Sequence, residues 1–175
     1  MKTSRLLLLS AVAFSGVGML HAFDLIKGLA RPEVVFFEPE TFTDVRDGSL
    51  GSDRARDATL AELKDYIVRG ARRYLAPGQV LAVTVTNVDL AGEFEPWRGA
   101  MFNDVRIVKE IYAPRIDLAV RLTDADGRIL REGKRELRDP SFMMNLTIDP
   151  RDPLRFEKIL LADWLWREFR PAKSR

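Results

Sequence analysis

The chain predicts an α+β domain: a two-layer sandwich with two main helices packed on one face of a mostly antiparallel sheet. Three observations carry this. Leu60, Leu63, Ile67, Ala71 and Tyr74 recur at steps of three and four, the spacing of one helix face. Ile116, Leu118, Val120 and Leu122 alternate with more polar residues ahead of Asp124-Ala125-Asp126-Gly127, the pattern of a half-buried strand entering a tight turn. Asp152-Pro153 opens a second apolar-rich segment that closes before Pro171. Strands gathered between two helices favour segregated layers.

Taken in order, the chain first offers a leader. Lys2 and Arg5 precede an uncharged run from Leu6 to Ala22, the n-region and h-region of a cleavable secretory signal peptide over residues 1–22. An uncleaved anchor is the alternative, but the run is short and is interrupted by serines, glycines and His21. No cysteine follows it to take a lipid. Residues 23–175 then form one globular domain, with no repeat or linker to divide them. Glu33–Phe37 reads as a first strand and residues 44–53 as a loop. The first helix spans about Asp53–Leu75, with Ser52 or Asp53 as cap, acids early, arginines late, and Pro77-Gly78 as its stop. Gln79–Leu90 is a β-branched strand. Leu81, Val83 and Val85 share one face while Val88 and Leu90 fall on the other, so either both faces are covered or a bulge near Asn87 switches phase. Residues 105–112 are ambiguous, and 128–138 return from the turn as the partner strand. The last helix takes Asp152 as N-cap and Pro153 as its first residue, and ends near Phe169.

Composition excludes several functions. The full chain holds 28 Lys+Arg against 26 Asp+Glu, so loss of Lys2 and Arg5 with the leader leaves 26 against 26. No basic face for nucleic acid is expected. The only histidine, His21, leaves with the leader, and there is no cysteine. Histidine- and cysteine-based catalysis, zinc and haem ligation and disulfide staples are therefore closed to the mature chain, and no cofactor and no metal are expected. Asp124–Gly127 places its glycine too early for an EF-hand loop and reads as a turn. Asn145-Leu146-Thr147 matches a glycosylation acceptor only as a short tripeptide.

Chemistry, if any, lies in residues 89–112. Asp89, Glu93 and Glu95 sit beside Trp97 and Arg98, with Asp104 and Arg106 close behind. As a ligand-binding set, the carboxylates take hydrogen-bond donors or a hard cation and Trp97 offers a stacking surface. The bland alternative is a structural loop in which Trp97 and Phe94 plug the edge of the core and Arg98 or Arg106 pairs the acids. That alternative predicts a clear stability loss for Trp97→Ala. A hydrolase would need at least two of these carboxyls converging in a concavity, one of them with a raised pKa; a binding module would leave them dispersed or tied to arginines.

One further surface is suggested by the last helix. Leu154, Ile159, Leu161, Ala162, Leu165, Trp166 and Phe169 gather on a broad face expected to lie on the sheet. Phe156, Leu160 and Trp164 form a separate row. That row either packs under the first helix or the 139–151 loop, or it stands exposed as a contact for a protein partner or a second copy.

Phe42-Thr43-Asp44-Val45-Arg46, the block Asp89–Arg98, Asp104-Val105-Arg106 and Ile111-Tyr112-Ala113-Pro114-Arg115-Ile116 together resemble a bacterial family, domain of unknown function 3016. The resemblance covers about residues 33–170, with Ala113 standing where the pattern calls for a second proline. It implies an exported, periplasmic protein of Gram-negative bacteria and brings no activity or residue role with it. The expectation is a non-enzymatic periplasmic binding or envelope-associated module without stable membrane insertion after leader removal. The rival is a carboxylate-dependent hydrolase acting on envelope glycans, centred on Asp89, Glu93, Glu95 and Asp104.

Overall fold

A computed structural model describes residues 29–45, 52–145 and 149–170. The predicted leader, most of the 44–53 loop and part of the Asn145–Thr147 tripeptide lie outside the described residues. The elements run β1 (Arg31–Phe36), α1 (Asp53–Ala71), β2 (Val80–Asp89), β3 (Glu93–Phe94), β4 (Arg106–Ile107), β5 (Arg115–Thr123), β6 (Ile129–Arg138) and α2 (Arg155–Phe169). The main sheet has the order β1-β2-β5-β6, and β3 pairs with β4 in a separate two-stranded ribbon. The predicted α+β architecture is therefore the observed one. β1 is the parallel member, joined to β2 through α1, because a parallel neighbour needs a crossover rather than a hairpin.

Side-chain alternation places the core. Leu81, Val83 and Val85 of β2 meet Ile116, Leu118 and Val120 of β5 on the face covered by helices. The two-phase pattern of β2 is resolved by a bulge: the register slips between Val85 and Asn87, so Val88 returns to the same buried face. The extra residue, Thr86, points outward and donates its hydroxyl to the Asp117 carbonyl at 3.2 Å. In the turn, Asp124 Oδ1 accepts from the backbone N–H of Asp126 at 3.0 Å and of Arg128 at 2.9 Å. Gly127 takes φ 81°, open to glycine at little cost.

α1 starts as expected, with Ser52 Oγ accepting from Ala55 N–H at 3.3 Å. It ends sooner, at Ala71; Arg73 and Tyr74 bond back to Gly70 and Ala71 in a tightened final turn. α2 departs more. Asp152 does not cap the helix proper. Its Oδ1 accepts from Leu154 N–H at 2.9 Å, closing a turn in which Leu154 has φ −100° and ψ 19°, and the helix begins only at Arg155.

The faces of α2 decide between the two readings of its second apolar row in favour of burial. Phe156, Leu160 and Trp164 are 9%, 7% and 5% exposed, so this row is core and offers no contact for a partner. Leu160 and Trp164 join the main core, while Phe156 meets Phe142 of the 139–145 loop edge-on at 4.8 Å, in a small cluster with Ala91 and Ala113. Leu161 and Leu165 pack on the sheet as predicted. Ala162 and Trp166, expected against the sheet, face outward instead. The far end of α2 is tied to β6 by Glu168, which accepts from Arg135 at 2.7 and 2.8 Å.

Candidate functional site

Everything between the end of β2 and the start of β5 is built on three anchors. The first is Arg106 on β4. Its guanidinium grips Asp44 with two bonds of 2.6 and 3.0 Å, donates to the Gly92 carbonyl at 3.1 Å and lies over the Phe94 ring at 4.5 Å. Asp44 is brought there by backbone: its N–H bonds to Val88 O and its carbonyl accepts from Leu90 N–H, so residue 44 runs beside the end of β2. A forked, partly buried pair of this kind is rigid as well as strong. Gly92 is needed where it stands, because a Cβ there would come within 2.9 Å of the Ile107 carbonyl and the φ is 85°.

The second anchor is Glu95, only 1% exposed. Its carboxylate accepts from Lys109 Nζ at 2.5 Å and Tyr112 Oη at 2.9 Å and forms an ion pair with Arg98. The Lys109 bond, helped by Tyr112 and Arg98, holds this carboxyl below the usual range against the opposing effect of burial. The third is Glu157 of α2, also 1% exposed. Its Oε1 accepts from Ala91 N–H at 2.6 Å, while Oε2 has no hydrogen-bond partner among the described residues. Burial pushes this carboxyl up.

Between the anchors lies a cleft of about 190 Å³ bordered by Thr43, Asp89, Glu93, Tyr112, Arg115 and Arg138. Asp89 is pushed up by burial, then by the charges of Asp44 and Glu93, against Arg106 and Arg115. Glu93 turns Oε1 back onto Phe94 N–H at 2.9 Å. Beyond the β3–β4 ribbon, two short 3-10 turns, Pro96–Arg98 and Ala100–Phe102, carry the chain out and back. Trp97 is 71% exposed and Met101 89%, and Phe102, Val105 and Ile111 are exposed beside them.

The seven sequence candidates thus divide. Asp89 and Glu93 meet in the cleft, Glu95 pairs with Arg98, and Arg106 pairs with Asp44. Asp104 is exposed and joins none of these contacts. The plug reading is half right: Phe94 is buried and the arginines do pair acids, but Trp97 is turned outward by the Pro96 turn. Sequence reading missed Asp44, Lys109, Tyr112, Arg115 and Arg138 as neighbours of the site. All but Lys109 and Arg138 fall in the segments that carry the family resemblance.

Comparison with known families decides the affiliation. The model of the family described as "Protein of unknown function (DUF3016)" matches residues 30–167. The chain belongs to this family. The match runs from the start of β1 nearly to the end of α2, so the DUF3016 unit and the α+β domain coincide. No curated protein and no solved structure shows a significant match. Among the described residues of this DUF3016 chain, no group of three or more His, Cys, Asp or Glu is placed to hold a metal ion. No helix among them is long and apolar enough to cross a membrane.

Proposed function

We propose that the chain is an exported, envelope-associated binding module, not an enzyme, and that the loop from Glu95 to Ile111 is its contact element. One observation carries this reading. The loop leaves most of Trp97 and nearly all of Met101 in solvent, yet its base is latched by buried Glu95. A soluble domain gains nothing by holding large apolar side chains in water, whereas Trp, Met, Phe and Arg are the residues enriched at the centres of interfaces. A rigid base lowers the entropy lost when such a loop engages a partner. The leader read at residues 1–22 directs the module to the periplasm.

The experiment is site-specific photocrosslinking in cells, with a benzophenone side chain at position 97 or 101 and, as control, at exposed Glu136 on β6. Crosslinks to an envelope component from 97 and 101 only are the expected result. Equal labelling from all three positions, or none from the loop, refutes it.

A second reading has its own observation. Asp89 and Glu93 share a cleft in which Asp89 is pushed toward its protonated form, the pairing a glycan hydrolase would use. Against it, the cleft falls below the ~300–1,000 Å³ of ordinary ligand sites, and Asp44 and Glu95 are spent on Arg106, Lys109 and Arg98. Glycan release by the purified protein, abolished by Asp89→Asn and by Glu93→Gln, would favour the hydrolase over the module.

A further inference from the structure

α1 and α2 lie side by side, and the strip between them stays open. Ile159, Ala162 and Trp166 form one stripe along α2 at steps of three and four, and none is fully buried. Tyr66 of α1 and Tyr74 of the turn that follows it face the strip, both half-buried. Together they bound a groove of about 660 Å³, within the ~300–1,000 Å³ of small-molecule sites. Past the two tyrosines the groove continues into a lobe of about 210 Å³ whose walls add Arg69 and Arg73. Gly70 lies between those arginines, and Leu165 lines the same lobe. A Cβ at position 70 would stand 2.6 Å from Leu165 Cδ1, so the two helices meet at a bare backbone there.

Charge in the groove is uneven. Toward the start of α2 the lining mixes acids and bases: Lys158 bonds Asp152 and Glu62, each at 2.5 Å, Asp163 pairs with Arg167 at 2.9 Å, Arg155 adds a second cation, and Asp149 forms no ion pair among the described residues. The lobe beyond the tyrosines is lined by two arginines and no acid. Arg69 reaches only Asp65, at 4.0 Å in solvent, and Arg73 has no salt bridge among the described residues. Two forked guanidinium groups beside an apolar trough suit a carboxylate or phosphate attached to a hydrocarbon. Arg170 stacks on Trp166 at 4.1 Å and braces the indole that forms one end.

We infer that the α1–α2 groove binds a free single-chain amphiphile with an anionic head group, its chain on Ile159, Ala162 and Trp166 and its head group at Arg69 and Arg73. Neither helix stripe belongs to the Glu95–Ile111 loop, so this site stands apart from the contact element proposed above.

The test is calorimetric titration of the whole protein with dodecanoate below its micellar concentration, with dodecyltrimethylammonium as the cationic twin. One saturable dodecanoate site is expected, at least tenfold tighter than any binding of the twin. Arg73→Glu should weaken dodecanoate at least tenfold and Ala162→Trp should abolish binding, with unliganded melting temperatures unchanged because both positions are exposed. If either variant melts early, Arg73→Ala and Ala162→Leu replace them with the same expectation, graded by size. Absence of a saturable site, equal affinity for the two amphiphiles, or full binding by the groove variants overturns the inference. So does flotation of the protein with phosphatidylglycerol vesicles that depends on Arg73 while monomeric dodecanoate fails to bind, since that would make a bilayer the occupant.

Discussion

Glu157 offers the sharpest test of how the site loop is held. Its carboxyl is buried, accepts one bond from Ala91 N–H at 2.6 Å and leaves Oε2 without a hydrogen-bond partner among the described residues. Burial raises its pKa in the folded state. For an acid with a raised folded pKa, the stabilising contribution is complete below the unfolded value and is lost as pH climbs to the folded one. The wild type should therefore lose about 1.4 kcal/mol per pH unit from this group between ~4.3 and its folded pKa, then level off. Glu157→Gln keeps an acceptor for Ala91 and cannot ionise, and its amide N–H₂ takes the place of the oxygen that already lacks a partner. The two proteins should match within about 0.5 kcal/mol at pH 4.5, and the variant should become progressively more stable than wild type as pH rises. Glu157→Ala removes the acceptor, leaving a buried N–H orphaned at a cost of about 1–3 kcal/mol, most visible at low pH. Urea denaturation across pH 4.5–8 measures all three. Because Asp89, also raised, and Glu95 and Glu168, both lowered, titrate in every protein, the difference curve isolates Glu157. A difference that does not change with pH, or a glutamine variant less stable throughout, refutes the reasoning.

The remaining predictions concern packing, exposure and export. Trp97→Ala should change stability by no more than about 0.5 kcal/mol, because the side chain stands in water; a large drop in melting temperature would mean that the loop folds inward. Leu161→Ala, at a side chain with no exposure beneath α2, should cost about 2–5 kcal/mol in denaturant melts. Leu160→Ser should melt early for the same reason and leave the oligomeric state of the folded fraction unchanged by light scattering. Intact mass of protein from a periplasmic extract should correspond to a chain beginning near Phe23; full-length chain in the inner membrane would contradict export.

Local rules made much of this fold legible in advance. The period-three-and-four spacing of Leu60 to Ala71, the alternation of Ile116 to Leu122 and the Asp124–Gly127 turn each depend on neighbours in the chain, and each appears where the pattern puts it. Even the bulge at Thr86 was latent in the phase break of β2, although choosing it over a sheet covered on both sides required knowing that helices lie on one face only. The functional region was legible as a segment but not as a geometry. Carboxylates, arginines and a tryptophan at 89–106 mark an unusual loop, but nothing in their spacing says that Glu95 is buried while Trp97, two residues on, is not.

What the amino-acid sequence by itself determined is the order of the main strands and helices, though not the β3–β4 ribbon, together with the fold class and the absence of histidine and cysteine from residues 23–175. What only the tertiary structure decided is that the Phe156, Leu160 and Trp164 row of α2 is buried beside Leu161 and Leu165 while Ala162 and Trp166 turn outward. Leu160 and Trp164 join the main core, and Phe156 is received by Phe142, whose loop arrives from 14 residues upstream. Tertiary structure likewise chose the partners of the charged residues. Arg106 meets Asp44 from 62 positions away, and Glu157 meets Ala91 from 66. Contacts that distant depend on how the sheet and helices stack, and a one-dimensional pattern holds no distance between segments that meet only when the layers close.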